Sequence, residues 1–384
     1  MASANQPKEV LNMSKANGGP PVIDLKSARA RIESRFGEGT VIELGERELP
    51  TIGAISTGAL SLDLALGIGG LAKGRIVEVY GPESSGKTTL TYHAIAEAQR
   101  TGGRCAFIDA EHAMDPAYAA AIGVDTDSLL LAQPDFGEQA LEVAELLARS
   151  GEVALIVIDS VAALVPKAEL EGGMEDQVVG GQARMMSKGL RRMAGRLRQS
   201  GTTCLLTNQL REKVGVVYGP RETQPGGRAL KFYASQRIDL RRVETLKEGD
   251  EAVAIRVRAK AVKNKVAAPF GVGEFDIDFG RGISQVGCVL DLAVEAGVVK
   301  RSGAFFAYGE ERLGQGRAKV KAALEERPEL VEAIAAEVRG RHEGADVLAG
   351  KPPAAESPGS GSKEKEPEAT SETSAADERS LVSV

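Results

Sequence analysis

Gly81-Pro82-Glu83-Ser84-Ser85-Gly86-Lys87-Thr88 is the stretch on which the reading of this sequence turns. It follows an apolar run, Ile76 to Tyr80, and precedes a helical pattern, the context in which a glycine-rich segment ending in Lys-Thr becomes a phosphate-binding loop. Glycines let backbone N–H groups turn inward around phosphate oxygens, and a helix N-terminus adds a favourable dipole. Lys87 then reaches the outer phosphates and Thr88 offers its hydroxyl to magnesium, so ATP and Mg2+ are the expected ligands. A chance turn is the competing reading, and the flanking strand and helix argue against it.

Outward from the loop, apolar runs alternate with helical patterns: Ala106 to Asp109, a helix, then Ala154 to Asp159. The alternation predicts an α/β fold, which Thr203 to Thr207 and the alternating segment Ala252 to Val262 extend. Leu155-Ile156-Val157-Ile158-Asp159 carries a carboxylate to the carboxyl edge of the sheet, where Asp159 serves the magnesium side; helix capping is its other reading. Glu111, just beyond the strand ending at Asp109, could project over the γ-phosphate and orient water, or be a solvated loop carboxylate. Asn208-Gln209, ending another strand, present amides that could sense the γ-phosphate or cap a helix.

The chain's ends read differently. Residues before about Ile23 lack periodicity, a flexible leader, and Ser27 to Phe36 form a short helix whose stripe of Ile32 and Phe36 cannot make a core alone. After about Ser284, glycines precede an alanine-rich helical stretch, Ala318 to Arg339, interrupted at Pro328, which suggests a small second domain. The expected organisation is a leader and helix over 1–50, a core over 51–283, a small domain over 284–345 and a disordered tail over 346–384.

With 384 residues and 42% hydrophobic side chains the chain can bury a core. Its apolar runs are far shorter than the roughly 20 residues a bilayer requires, so no membrane is expected and the cytoplasm is its place. Cys105, Cys204 and Cys288 are widely spaced, which suits free thiols, and no histidine stands at zinc-ligand spacing from them. Of the formal net charge of −6, half lies from Lys351 onward, where seven acidic and four basic side chains occur, so the average says little about local basic surfaces.

Two such surfaces stand out. From Ala183 to Gln199, Met186, Leu190, Met193 and Leu197 recur at helical spacing, while Arg184, Lys188 and Arg191 recur on another face, after a glycine-rich loop from Gly172 to Gly181. Leu210 to Gly227 holds Arg211, Lys213, Arg221 and Tyr218 with four glycines and little apolar content, a composition suited to a mobile loop that meets single-stranded DNA. Solvated surface and a plain insertion are the bland alternatives.

These residues, together with Thr89-Leu90 after the loop, Phe107-Ile108-Asp109-Ala110-Glu111-His112-Ala113, Ala229-Leu230-Lys231-Phe232-Tyr233-Ala234-Ser235 and Val262-Lys263-Asn264-Lys265, closely resemble the RecA family of bacterial recombinases over about residues 25 to 342. The resemblance implies a RecA-type ATPase core, a twisted, mostly parallel sheet flanked by helices, with a small N-terminal helix arm and a small α+β C-terminal domain. It implies a helical filament on single-stranded DNA that hydrolyses ATP, exchanges strands with homologous double-stranded DNA and stimulates self-cleavage of a LexA-type repressor. By the same resemblance, Glu111 activates water and Gln209 couples the γ-phosphate to the DNA loops. Asp115 and Tyr118 flank the adenine, and Lys263 and Lys265 reach the ATP of the next subunit. Arg184, Ser187 and Arg191, then Arg211, Lys213 and Tyr218 followed by Gly226 and Gly227, mark the DNA contacts. The Ser27 to Phe36 helix would dock on a neighbour. Val178 replaces a usual histidine, Gly219 to Pro225 a threonine-rich run, and Phe305-Phe306-Ala307-Tyr308 a stretch that often holds tryptophan. A ring-shaped, helicase-like ATPase and a filament-forming regulatory scaffold without efficient strand exchange are the alternatives.

Overall fold

The computed structural model describes residues 23–43, 52–173, 180–212 and 222–348. Val178, Lys213, Tyr218 and Arg221 lie outside the described residues, as do the leader and the part of the expected tail after Leu348; residues 346–348 are helical. Two compact units result, one ending at Gly53 and one beginning at Ala54. In the first, α1 (Leu25–Phe36) starts where the Asp24 carboxylate accepts from the Ser27 N–H at 2.9 Å and ends at Gly37, whose φ of +101° favours glycine. No residue of α1 is buried, and Leu25 and Phe36 are exposed, so the apolar stripe expected from the sequence has no core of its own.

In the second unit, β1 (Ala54–Ile55) and β2 (Leu71–Ala72) pair antiparallel around α2 (Leu60–Ala65). β3 (Ile76–Gly81) leads through the glycine-rich loop into α3 (Lys87–Arg100). β4 (Arg104–Asp109), α4 (Pro116–Ile122), β5 (Leu130–Ala132), α5 (Gly137–Ser150) and β6 (Val153–Asp159) continue the alternation. α6 (Lys167–Glu171) and α7 (Gly181–Ser200) precede β7 (Thr203–Gln209); β8 (Arg211–Glu212) and β9 (Glu222–Thr223) then pair antiparallel. α8 (Ala229–Tyr233) opens onto a long hairpin of β10 (Gln236–Glu248) and β11 (Glu251–Asn264), followed by β12 (Val272–Asp278) and β13 (Gly282–Ile283). The chain continues as α9 (Gln285–Glu295), β14 (Val299–Ser302), β15 (Phe305–Tyr308), β16 (Glu311–Gln315), α10 (Arg317–Glu325) and α11 (Pro328–Leu348).

Nine strands form one sheet in the order β13-β12-β11-β10-β3-β7-β6-β4-β5. Those from β10 to β5 run parallel and the other three are antiparallel. Because side chains alternate across a strand, β6 sends Leu155 and Val157 into one apolar cluster with α3, and Ile156 and Ile158 into another with α5 and α7. On α7, Met186, Leu190, Met193 and Leu197 are buried while Arg184, Lys188 and Arg191 are exposed, the division their spacing predicts. All three cysteines are free and buried, and burial pushes the Cys105 and Cys204 thiols up to about 12. Among the described residues, no helix is long and apolar enough to cross a membrane.

The C-terminal segment, a three-stranded antiparallel sheet with α9 to α11, is fastened to the edge of the large sheet by charge as well as apolar packing. Arg317 of α10 reaches Asp276 at 2.7 Å and Asp291 at 2.7 Å, and Arg256 reaches Asp276 at 2.8 Å. Burial would push the Asp276 carboxyl up, but the Arg256 hydrogen bond and the Arg317 charge outweigh it and hold the group below its ordinary value. A second tie joins α3 to β13: the Ile283 N–H donates to His93 Nε2 at 2.7 Å. Burial depresses the His93 imidazole to about 4.

Candidate nucleotide site and its neighbours

The loop from Gly81 to Thr88 is shaped by close approaches that only glycine permits. A Cβ on Gly81 would stand 2.1 Å from the Leu240 carbonyl oxygen, and one on Gly86, whose φ is +87°, 2.3 Å from Ile277 Cδ1. Ser85 is buried and donates to the Pro82 carbonyl at 2.9 Å, which tightens the turn; Ser84 takes a φ of +54°. Lys87 opens α3 and its Nζ lies among the loop carbonyls, 2.6 Å from Pro82 O and 3.2 Å from Gly81 O. Burial pulls the Lys87 ammonium down, against the charges of Asp159, Glu111 and Glu83.

A cleft of about 380 Å³ opens over this loop. Residues Ser84 to Thr89 form its floor, and Tyr118, Ile255, Ile277, Phe279 and Gly280 its apolar wall. Tyr118 Oη lies 3.0 Å from Thr89 Oγ1. Asp115 instead caps α4, its carboxylate accepting from the Ala117 and Tyr118 N–H groups at 3.0 Å, and so orients the helix that carries Tyr118.

The register of β4, β6 and β7 gathers the acidic and amide groups. Asp109 and Asp159 are paired residues on adjacent strands, and Thr88 Oγ1 donates to Asp159 Oδ2 at 2.7 Å while Thr207 donates to Oδ1. Burial raises the Asp159 carboxyl's pKa, opposed by these two hydrogen bonds. A hydroxyl and a carboxylate oxygen so close suit a hard divalent cation such as Mg2+, and a cation there would favour the ionised acid. Glu111 Oε1 accepts from Ser160 Oγ and, at 3.2 Å, from Gln209 Nε2. The turn bearing Glu111 is set by buried Asp109, which accepts from the Ala113 and Met114 N–H groups and from Gln133 at 3.1 Å.

Lys87, Thr88, Asp159, Glu111 and Gln209, read separately from the sequence, thus meet at the carboxyl edge of one sheet. Lys263, near the end of β11, and Lys265, just past it, donate to the Phe232 carbonyl at 3.2 Å and do not line the chain's own cleft. Burial, then the charges of Lys265 and Arg237, lower the Lys263 ammonium to about 8. Arg184, Ser187 and Arg191 share α7, and Arg211 begins β8. Gly226 and Gly227 both have positive φ; a Cβ on Gly227 would come within 2.7 Å of Ala183 Cβ, which packs this turn on α7. The sequence reading missed Ser160, Asp109 and the wall residues Ile255, Ile277, Phe279 and Gly280. Ser160 directly follows the strand-end Asp159, a signal that was present; the wall depends on long-range pairing and left none.

A strand, a glycine-rich turn closed on a lysine at a helix start, and an acid on a neighbouring strand end define a phosphate-loop nucleotide-binding protein. The sequence matches the RecA N-terminal domain over residues 23–284 and the RecA C-terminal domain over residues 287–343. It is 57% identical over 327 residues to Protein RecA of Corynebacterium glutamicum (strain R), covering 85% of this chain and 87% of the relative. Protein RecA of Bifidobacterium breve is 59% identical over 315 residues, 82% of this chain and 80% of its own. That of Rubrobacter xylanophilus is 58% identical over 317 residues, 83% and 92% respectively. The chain belongs to the RecA family.

Proposed function

We propose that this protein is a cytoplasmic, DNA-dependent ATPase and recombinase. It assembles head to tail on single-stranded DNA, hydrolyses ATP between subunits, pairs its strand with homologous duplex, and stimulates self-cleavage of a LexA-type repressor. The observation that carries the reading is the bridge from Gln209 to Glu111, because it joins the water-activating acid to the start of the basic segment that follows β7.

Lys87 neutralises the outer phosphates of ATP, Tyr118 and the apolar wall hold the base end, and Thr88 with Asp159 hold Mg2+. Bound Mg2+ supplies charge neutralisation to the phosphates. Glu111 accepts the proton of the attacking water as the water oxygen bonds to the γ-phosphorus and the bond to the ADP oxygen breaks. With one carboxylate oxygen held by Ser160 and Gln209, the other is left to face the water. Lys263 and Lys265 present charge to a neighbour's phosphates, as an arginine finger does. The stripe on α1 docks on an adjacent subunit. Arg184, Ser187, Arg191, Arg211, Lys213, Tyr218, Gly226 and Gly227 form the DNA path.

Glu111→Gln is expected to bind ATP and to assemble on single-stranded DNA while losing turnover by at least about 100-fold. Measuring phosphate release beside electron microscopy of the same samples checks both halves. Near-normal hydrolysis would remove Glu111 as the base, and closed rings without helical filaments would favour a ring ATPase. Failure to exchange strands under conditions that support filaments would favour the regulatory scaffold.

A further inference from the structure

Glu78 lies on β3 at the centre of the sheet, with no exposed surface. A carboxylate placed there carries a heavy desolvation cost unless it is paired and hydrogen-bonded. Arg237 of β10 forms an ion pair with it, and Asn208 of β7 donates to its Oε1 at 3.2 Å. Each partner also makes a second bond, and both second bonds run to adjacent residues. Arg237 Nη2 donates to Gln224 Oε1 at 2.8 Å, and Asn208 Nδ2 donates to the Pro225 carbonyl at 3.3 Å. The guanidinium is further fixed 4.8 Å above the Tyr80 ring.

Asn208 completes the circuit. Its Oδ1 accepts from the Gln209 N–H at 2.9 Å, and Gln209 Nε2 reaches Glu111. Entry to the basic segment at residues 208 and 209 is therefore joined to its exit at 224 and 225 through one buried carboxylate. On the same face of β10, Arg241 grips Glu222 with two bonds of 2.7 Å, holding β9 in line with the exit.

We infer that Glu78 and Arg237 are a positioning pair that couples the exit of the 210–225 segment to Gln209, and through it to Glu111. The inference rests on the recombinase reading, in which that segment meets single-stranded DNA. A buried ion pair stabilises a fold little compared with apolar packing, but its directional bonds fix registry. Here the bonds fix where Asn208 stands relative to Gln224 and Pro225, so a shift at the exit alters the pairing of Glu78 and the hold on Asn208. Neither residue lines the cleft over the phosphate loop; they act through Gln209.

The test uses the full-length protein and compares ATP hydrolysis with and without saturating poly(dT). Glu78→Gln removes the charge but keeps the shape; it is expected to retain DNA-free hydrolysis and KM for ATP while DNA stimulation falls about tenfold, the effect of one charged hydrogen bond. Gln224→Ala, at a half-buried position, should lower stimulation in the same direction and supplies the answer if Glu78→Gln does not fold. The double variant should lose no more than the larger single loss, since the two act in series. Unchanged stimulation in Gln224→Ala, or losses that multiply in the double variant, would overturn the inference. A parent protein that DNA does not stimulate would overturn the recombinase reading as well; a stimulated parent with equally stimulated variants overturns this inference alone.

Discussion

At Glu111, one oxygen accepts from both Ser160, which directly follows β6, and Gln209, which ends β7. Ser160 is buried, so its hydroxyl has few alternatives and acts as a fixed anchor, whereas the Gln209 side chain has more freedom. Ser160→Ala is expected to lower kcat about tenfold with KM for ATP nearly unchanged, because a hydrogen bond to a charged group is lost without touching the phosphate contacts. Steady-state kinetics at saturating DNA check it, and an unchanged kcat would show that Gln209 alone suffices. A threonine at the same position keeps the hydroxyl and should restore most of the rate.

Among the elements, α3 carries the most duties, since it begins at the phosphate loop and, six residues on, holds β13 through His93. The Ile283 N–H needs an acceptor at Nε2, and a protonated imidazole has none to offer there. Because the folded value is lowered to about 4 from an ordinary 6.5, the unfolded chain binds the extra proton first. Stability from this joint is fully present above about pH 6.5 and falls by roughly 1.4 kcal/mol per pH unit towards about pH 4. Urea midpoints measured across that range should show the decline, and His93→Gln should flatten it. The elements also explain what the sequence could tell. The loop, the Asp159 strand and the two faces of α7 were legible because each is a local pattern with its own period. β10 was not: Gln236 to Glu248 mixes buried Ile238 and Leu240 with Arg237, Asp239 and Arg241, and its charges make sense only once Glu78 and Glu222, distant in sequence, are beside them. The apolar wall of the cleft was hidden for the same reason, since Ile255, Ile277 and Phe279 join Tyr118 only through the pairing of β11 with β12.

At the scale of the molecule, the C-terminal segment and the nucleotide cleft share β12, which turns Asp276 towards Arg256 and Arg317 and lends Ile277 to the cleft wall. Arg317→Ala should destabilise the fold by roughly 2 kcal/mol, less than the ~3–5 kcal/mol of a buried charge left alone, because Arg256 stays with Asp276. A lowered urea midpoint with an unaltered m-value is the expected result, and an unchanged midpoint would mean that apolar contacts alone hold the segment. The burial of all three thiols has a practical side as well. Thiolate is the reactive form, and neither Cys105 nor Cys204, both raised to about 12, supplies it at neutral pH. Native protein should therefore react with Ellman's reagent far more slowly than protein in guanidinium, where three equivalents are expected. A single cysteine introduced at an exposed position such as Lys26 on α1 would then accept a fluorophore almost alone, so assembly could be followed by light without first removing any native residue.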